Sequence, residues 1–255
     1  MRRFTVTFAW GLIACLAASD RTLTAAEPNQ GRAHQIRLEL ALQYDFFLVQ
    51  SGQVRDASGH KHDGQLQGGE IVPGKQKLAL KLDGQGLISL RELPDSLSPQ
   101  QRPFTVGALC KPAAAEGVIA ALGDKSNGFR LALRGGVPQF AIRVNGELTT
   151  VSAADPVPLE QWVHVAGAID SQGKLWVIVN GWPKANVQGR LIPGKPAQSF
   201  SVGADASLPA GDTTAAPRWQ GLLEDVRLYW GFLDRTEQRD VWQDWADLPG
   251  CGCRQ

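Results

Sequence analysis

The chain has 255 residues, 43% hydrophobic and 20% charged, with 28 Gly, 15 Pro and one Met. That balance excludes long intrinsic disorder, and the frequent turn residues exclude a bundle of long helices. Lys and Arg total 26 against 25 Asp and Glu, a net charge of +1, so the basic excess of a nucleic-acid binder is missing.

Residues 1–26 read as a secretory signal. Arg2 and Arg3 form a positive start, and Phe4 to Ala18 is an apolar run too short and wrongly flanked to span a bilayer. The small residues Thr24-Ala25-Ala26 mark a cleavage site before Glu27, with a cut after Ser19 as an alternative. Leu12-Ile13-Ala14-Cys15 resembles a bacterial lipoprotein box, which would put a lipid anchor on Cys15. The competing reading makes Cys15 an apolar residue of the signal. Removing 1–26 takes away three Arg and one Asp, so the remainder is close to neutral. Cys110, Cys251 and Cys253 then remain, enough for at most one internal disulfide. Cys251-Gly252-Cys253 alone lacks the further ligands of a structural zinc.

From Ile36 onward the chain reads as strands. Ile36, Leu38, Leu40 and Leu42 alternate with Arg37, Glu39, Ala41 and Gln43, a period of two that a half-buried strand requires. Asp56 to Gly64 is a polar loop. Leu78 to Leu82 alternates again and stops at Asp83-Gly84, and Leu87 to Leu90 follows. Strands are expected at 104–110, 117–122, 129–133 and 139–144. Asn145-Gly146 is the strongest short hairpin signal and leads into 148–152. Further strands are expected at 162–169, 175–179, 199–203 and 222–229. About a dozen short strands with turn chemistry between them predict an antiparallel sandwich or barrel and exclude a parallel α/β sheet. One short helix is expected near the end, where Asp234 and Glu237 fit a capping box and Val241, Trp242 and Trp245 mark one face.

Five segments carry a family resemblance. They are Asp56-x-Ser58-Gly59 with Asp63-Gly64, Leu80-x-Leu82-Asp83-Gly84, Phe104 through Lys111-Pro112, Trp162 to Ala166 with Asp170 and Asn180-Gly181, and Gly221 to Tyr229. In this order they resemble bacterial LamG-like, concanavalin A-like jelly rolls. The resemblance implies one jelly-roll β-sandwich over 27–233, with 234–255 as a helix and Cys-containing tail on or after it. Leu109 stands where the family often has Trp, and Glu224 where it usually has Asp.

Related sandwiches include glycosidases, which need two carboxyl groups facing one bond. Glu224-Asp225 is the only acidic pair inside an expected strand, and on a regular strand adjacent residues face opposite ways. No G-x-S-x-G elbow, P-loop or G-x-G-x-x-G run is present. A non-enzymatic module is therefore expected. His60-Lys61-His62-Asp63 offers metal donors, with a solvated polar loop as the alternative, and His164 reads as a structural imidazole. The resemblance implies calcium in some members, with Asp56, Asp63 and Asp225 as the candidates here; turn formation explains the same residues. Trp182, Trp230 and Trp176 are candidates for stacking on a ligand, against a role in packing. The expected function is exported recognition of a glycan or an extracellular protein. A structural or adhesion role is the alternative, and a polysaccharide-active enzyme the third.

Overall fold

The computed structural model describes residues 39–205, 217–233 and 237. They belong to the second of two compact units, Ile36–Gln255, which is the one described below. The signal segment, Cys15, the tail cysteines and the rest of the expected C-terminal helix lie outside the described residues.

The strands are β1 (Glu39–Tyr44), β2 (Val49–Gln50), β3 (Gln53–Val54), β4 (Gly64–Gln67), β5 (Glu70–Pro73), β6 (Leu78–Asp83), β7 (Leu87–Ser89), β8 (Phe104–Pro112) and β9 (Gly117–Gly123). They continue as β10 (Gly128–Arg134), β11 (Val137–Val144), β12 (Glu147–Ser152), β13 (Val163–Ile169), β14 (Lys174–Val179), β15 (Trp182–Gln188), β16 (Phe200–Val202) and β17 (Gln220–Trp230). The first sheet has eight strands in the order β15-β14-β13-β8-β17-β6-β5, with β1 also paired to β17. The second has nine, in the order β12-β11-β10-β9-β16-β7-β4-β3-β2. Pairing within both is antiparallel, and the two sheets form the expected jelly-roll sandwich. No helix among the described residues is long and apolar enough to cross a membrane.

Turn chemistry sets the hairpins. Asn145-Gly146 joins β11 to β12 and Asn180-Gly181 joins β14 to β15, each with both residues at positive φ. That backbone matches strand twist and suits Asn-Gly. Within the described residues the expected strands are all present, with small shifts at their ends; Ile36–Leu38 of the first lie outside them. Five more were not expected: β2, β3, β4, β5 and β15. They are short or edge strands with few apolar residues. β15, with Pro183 and Lys184, lies at a sheet edge, where proline and charge are tolerated.

The core fills from both sheets. Tyr44, Phe104, Phe129, Phe140 and Phe200 form a connected aromatic line between them, with neighbouring centroids 4.8–6.5 Å apart. Gly167 of β13 makes room for this line, since a Cβ there would fall 2.2 Å from a ring carbon of Phe140. Cys110 is part of the same core. Its thiol donates to the Val163 carbonyl, and burial pushes its pKa up, so it is an inert apolar residue.

Candidate functional site

The three acids considered for calcium are engaged by donors. Asp56 is buried, and its carboxylate accepts from the Gln43, Ser58 and His62 amides and from the Ser58 hydroxyl, at 2.7–3.1 Å. Asp63 accepts from the Asp56 amide at 2.9 Å and from Gln53 Nε2 at 3.2 Å. Asp225 accepts from Gln43 Nε2 at 2.6 Å and from the Arg227 guanidinium, with Lys77 Nζ 3.8 Å away. Oxygens already accepting N–H and O–H bonds, one set beside a guanidinium, do not fit a calcium shell. No group of three or more metal-ligating side chains occurs among the described residues. Burial opposes ionisation of Asp56 and Asp225, yet hydrogen bonds outweigh it and hold both below the ordinary carboxyl value.

Glu224 and Asp225 do not face opposite ways as adjacent residues of a regular strand would. β17 carries a bulge against β8 between Glu224 and Arg227, with Asp225 at φ +54. Both acids therefore reach Lys77: Glu224 accepts its amide, and Asp225 lies near its ammonium. β17 also changes partner here. It pairs with β6 through Leu223 and with β1 from Val226. The acids close the gap between those two neighbours. Glu224 accepts the amides of Lys75, Gln76 and Lys77 in the turn before β6.

The histidines are also accounted for. The His62 ring nitrogens lie 3.1 Å from the Ala41 carbonyl and 2.8 Å from Ser96 Oγ, and His60 stacks on its ring. His164 is buried, and desolvation followed by repulsion from Arg227 lowers its pKa to about 3, so it stays neutral.

The tryptophans do not converge. Trp182 is 49% exposed at the edge of the first sheet. Trp176 donates Nε1 to Asp170 and packs against Phe232. Trp230, the second candidate for stacking on a ligand, is instead buried in the core. Its Nε1 donates to the Ser96 carbonyl, and Arg102 lies over its ring.

The second sheet carries a register row on the face away from the core that is exposed at Gln50, Gln53, Gln65 and Thr150, partly exposed at Ser89 and Arg130, and buried at Ser201, Ala121 and Ala141. Following the pairing register from β2 to β12, it reads Gln50, Gln53, Gln65, Ser89, Ser201, Ala121, Arg130, Ala141 and Thr150. Directly opposed residues share a face. Their sequence neighbours Val54, Ile88, Val202, Leu122, Leu131, Ile142 and Val151 belong to the core, so the row lies on the opposite face of the sheet. Every member is polar or small. Three cavities border it. One of about 270 Å³ is lined by Leu48, Gln50, Gln53, Arg55 and Asp63. One of about 610 Å³ lies between Ser89–Leu93 and Lys195–Phe200. A small crevice at Arg130, Ala141, Arg143, Asp124 and Asp205 is the third. From β3 to β11 the row crosses six inter-strand steps, about 29 Å.

The loops at this rim brace one another. Asp124 accepts from the Ala197, Ser126 and Asn127 amides at 2.6–2.9 Å. Asn127 accepts from the Asn145 amide, and Lys195 pairs with Asp95. A braced rim loses little entropy on binding. Asp124 resists burial through those amides and Arg143, and its pKa is lowered. Among the described residues, the acids with displaced pKa values, Asp56, Asp95, Asp124 and Asp225, are displaced downward. A general acid at neutral pH needs the opposite. Cations and anions alternate along the rim, which suits a neutral, hydroxyl-rich ligand better than a polyanion. The sequence singled out only Asp63 from this rim, for a different reason.

Comparison with known proteins gives the following. The profile of the concanavalin A-like lectin/glucanases superfamily matches residues 83–237. Domain 4 of AbnA, an extracellular GH43 arabinanase of Geobacillus stearothermophilus solved with arabinotriose, is 24% identical with a TM-score of 0.64. The match covers 81% of this chain and 99% of that one. The binding domain of Paraclostridial Mosquitocidal Protein 1 is 14% identical with a TM-score of 0.64, over 82% of this chain and 53% of that one. The receptor-binding domain of botulinum neurotoxin mosaic serotype C/D is 14% identical with a TM-score of 0.60, over 81% and 51%. The chain thus spans about half the length of these toxin domains. At these identities the likeness is one of fold. No curated protein sequence matches.

Proposed function

We propose that this chain, which belongs to the concanavalin A-like lectin/glucanase superfamily, is an exported, non-enzymatic module that holds an extended carbohydrate across the rim of its nine-stranded sheet. The observation that carries this reading is the alignment of three cavities along one polar row. Amides, hydroxyls and alternating charges can each donate to or accept from sugar hydroxyls. Of the small residues in the middle of the row, Ser89 lines the cavity of about 610 Å³, while Ser201 and Ala121 are 1% exposed and lie beneath covering chain. The solved relative with arabinotriose supports a sugar as the ligand class. Export rests on the signal-like residues 1–26, with 27–233 as the jelly-roll module.

A protein ligand is the second reading. Phe47 is 76% exposed and Leu48 38%, beside the cavity at β2 and β3, and such apolar exposure suits a protein surface.

Ser89→Trp fills the middle of the row, whereas Trp182→Ala alters the edge of the other sheet. Calorimetric titration with an oligosaccharide panel that includes arabinotriose is expected to show binding by the parent and by Trp182→Ala. Ser89→Trp is expected to lose at least about tenfold in affinity, or 1.4 kcal/mol. Loss in Trp182→Ala with retention in Ser89→Trp would move the site to the first sheet.

A further inference from the structure

The central cavity of the nine-stranded sheet opens where two paired strands part. β7 ends at Ser89 and β16 begins at Phe200, and the Leu90 amide still donates to the Phe200 carbonyl at 3.0 Å. The chain then bends at Arg91 and Glu92 toward the 3-10 turn Asp95–Leu97. The facing wall, 195–199, is held from outside. There the Ala197 amide donates to Asp124 Oδ2 at 2.6 Å, and Lys195 Nζ lies 2.5 Å from Asp95 Oδ1. The gap between the walls is the cavity of about 610 Å³, an ordinary size for a small-ligand pocket. Leu90, Leu93 and Phe200 give it an apolar lining, each 8% exposed or less.

Its polar groups are left unused. In the flanking cavities Asp63 accepts from the Asp56 amide and Gln53, Arg143 donates to the Asp124 carbonyl, and Arg130 lies 3.5 Å from Asp205. In the central one, Ser89, Arg91, Glu92, Gln198 and Ser199 make no side-chain hydrogen bond or ion pair with the described residues. The Ser199 hydroxyl is itself buried at the wall. A buried hydroxyl without a partner is rare in a folded protein. Hydrogen-bonding capacity thus collects over an apolar floor, between walls that are already braced.

The charges say what enters. Arg91 and Lys195 are balanced by Glu92 and Asp95, and Lys195 is already paired. A carboxylate or sulfate drawn to Arg91 meets Glu92 next to it. An ammonium drawn to Glu92 meets Arg91. A hydroxyl both donates and accepts, so two neighbouring hydroxyls satisfy the donor Arg91 and the acceptor Glu92 at once. We infer that this cavity is the anchoring subsite for one neutral sugar unit, with Arg91 donating to its hydroxyls and Glu92 accepting from them. The assignment rests on the carbohydrate reading above and places the selectivity of the rim at its centre. Gln50, in one flanking cavity, is three inter-strand steps from Ser89, about 14 Å, so that cavity adds affinity only to longer chains.

The test is calorimetric titration of the full chain with the trimers of arabinose, xylose and glucose, and with those of galacturonic acid and glucosamine. The parent is expected to prefer a neutral trimer, with an affinity that added salt leaves unchanged. Arg91→Ala and Glu92→Ala are each expected to lose about tenfold, by the same factor for the dimer and trimer of that sugar. Glu92→Gln keeps an acceptor oxygen and is expected to lose less. Both side chains are exposed and unbonded, so urea unfolding of the variants should match the parent. Binding of a neutral trimer that survives both alanine substitutions overturns the anchor and leaves the carbohydrate reading standing. A preference for the galacturonic acid trimer that Glu92→Ala strengthens overturns it too, as does a preference for the glucosamine trimer. Binding to none of the five contradicts both the anchor and the carbohydrate reading.

Discussion

Phe140→Ala is expected to cost about 4 kcal/mol, which for a domain of this size lowers Tm by roughly 8–16 °C. The ring is fully buried and lies edge-on to Phe104 at 6.1 Å, across the two sheets, with Phe129 at 6.2 Å. It rests on Gly167, whose missing side chain is what allows the approach. Truncation leaves a cavity that neither sheet can close, because each is held by its own ladder of backbone bonds. The loss therefore combines transfer and cavity terms. Urea unfolding with an unchanged m-value measures it. A loss below about 1.5 kcal/mol would mean that the core relaxes around the gap and that this aromatic line is not the joint between the sheets.

Glu224→Ala is expected to cost roughly 3 kcal/mol, because three backbone amides lose their acceptor at once. Glu224 is 1% exposed and binds the turn formed by Lys75, Gln76 and Lys77. Gly74 shares the arrangement, since a Cβ there would fall 2.2 Å from Glu224 Oε2. Gly74→Ala should therefore destabilise the parent but add little once Glu224 is Ala. Strict additivity in that cycle would separate the two residues and contradict the account. Glu224→Gln keeps one acceptor oxygen and should fall between the parent and the alanine variant.

Acid unfolding follows from the neighbouring carboxylates. The folded-state pKa values of Asp56 and Asp225 lie below the ordinary 3.8, because hydrogen bonds outweigh burial. The unfolded chain thus binds more protons near that value. Their contribution is complete above pH ~4 and is lost as pH falls through the depressed values.

Most of the sandwich could be read from residue order because its central strands are buried and alternate clearly. β8, β13 and β17 each show a run that only a strand explains, and Asn145-Gly146 gives its hairpin directly. The polar strands β2 to β5 could not be read this way. With few apolar side chains, their pairing is set by the neighbouring strands and not by local pattern. The bulge at Asp225 was hidden for another reason: a left-handed aspartate in mid-strand has no local signature, and without it the two acids seem to face opposite ways. The candidate site was the least legible part. Gln53, Ser89, Ser201 and Arg130 are scattered through the sequence and become neighbours only through strand register. Tryptophans drew attention because they are conspicuous, yet Trp230 went to the core, where its ring fills volume and its Nε1 finds a carbonyl.

The central claim is that one extended sugar chain occupies the three cavities together. Affinity measured against a ligand-length series tests it most directly, using oligosaccharides of the sugar that binds best. The account predicts that affinity rises with each added unit until the chain spans about 29 Å, then levels off, with Ser89→Trp abolishing the rise. An affinity already maximal for a single sugar would contradict it and leave the three cavities as separate features of the rim.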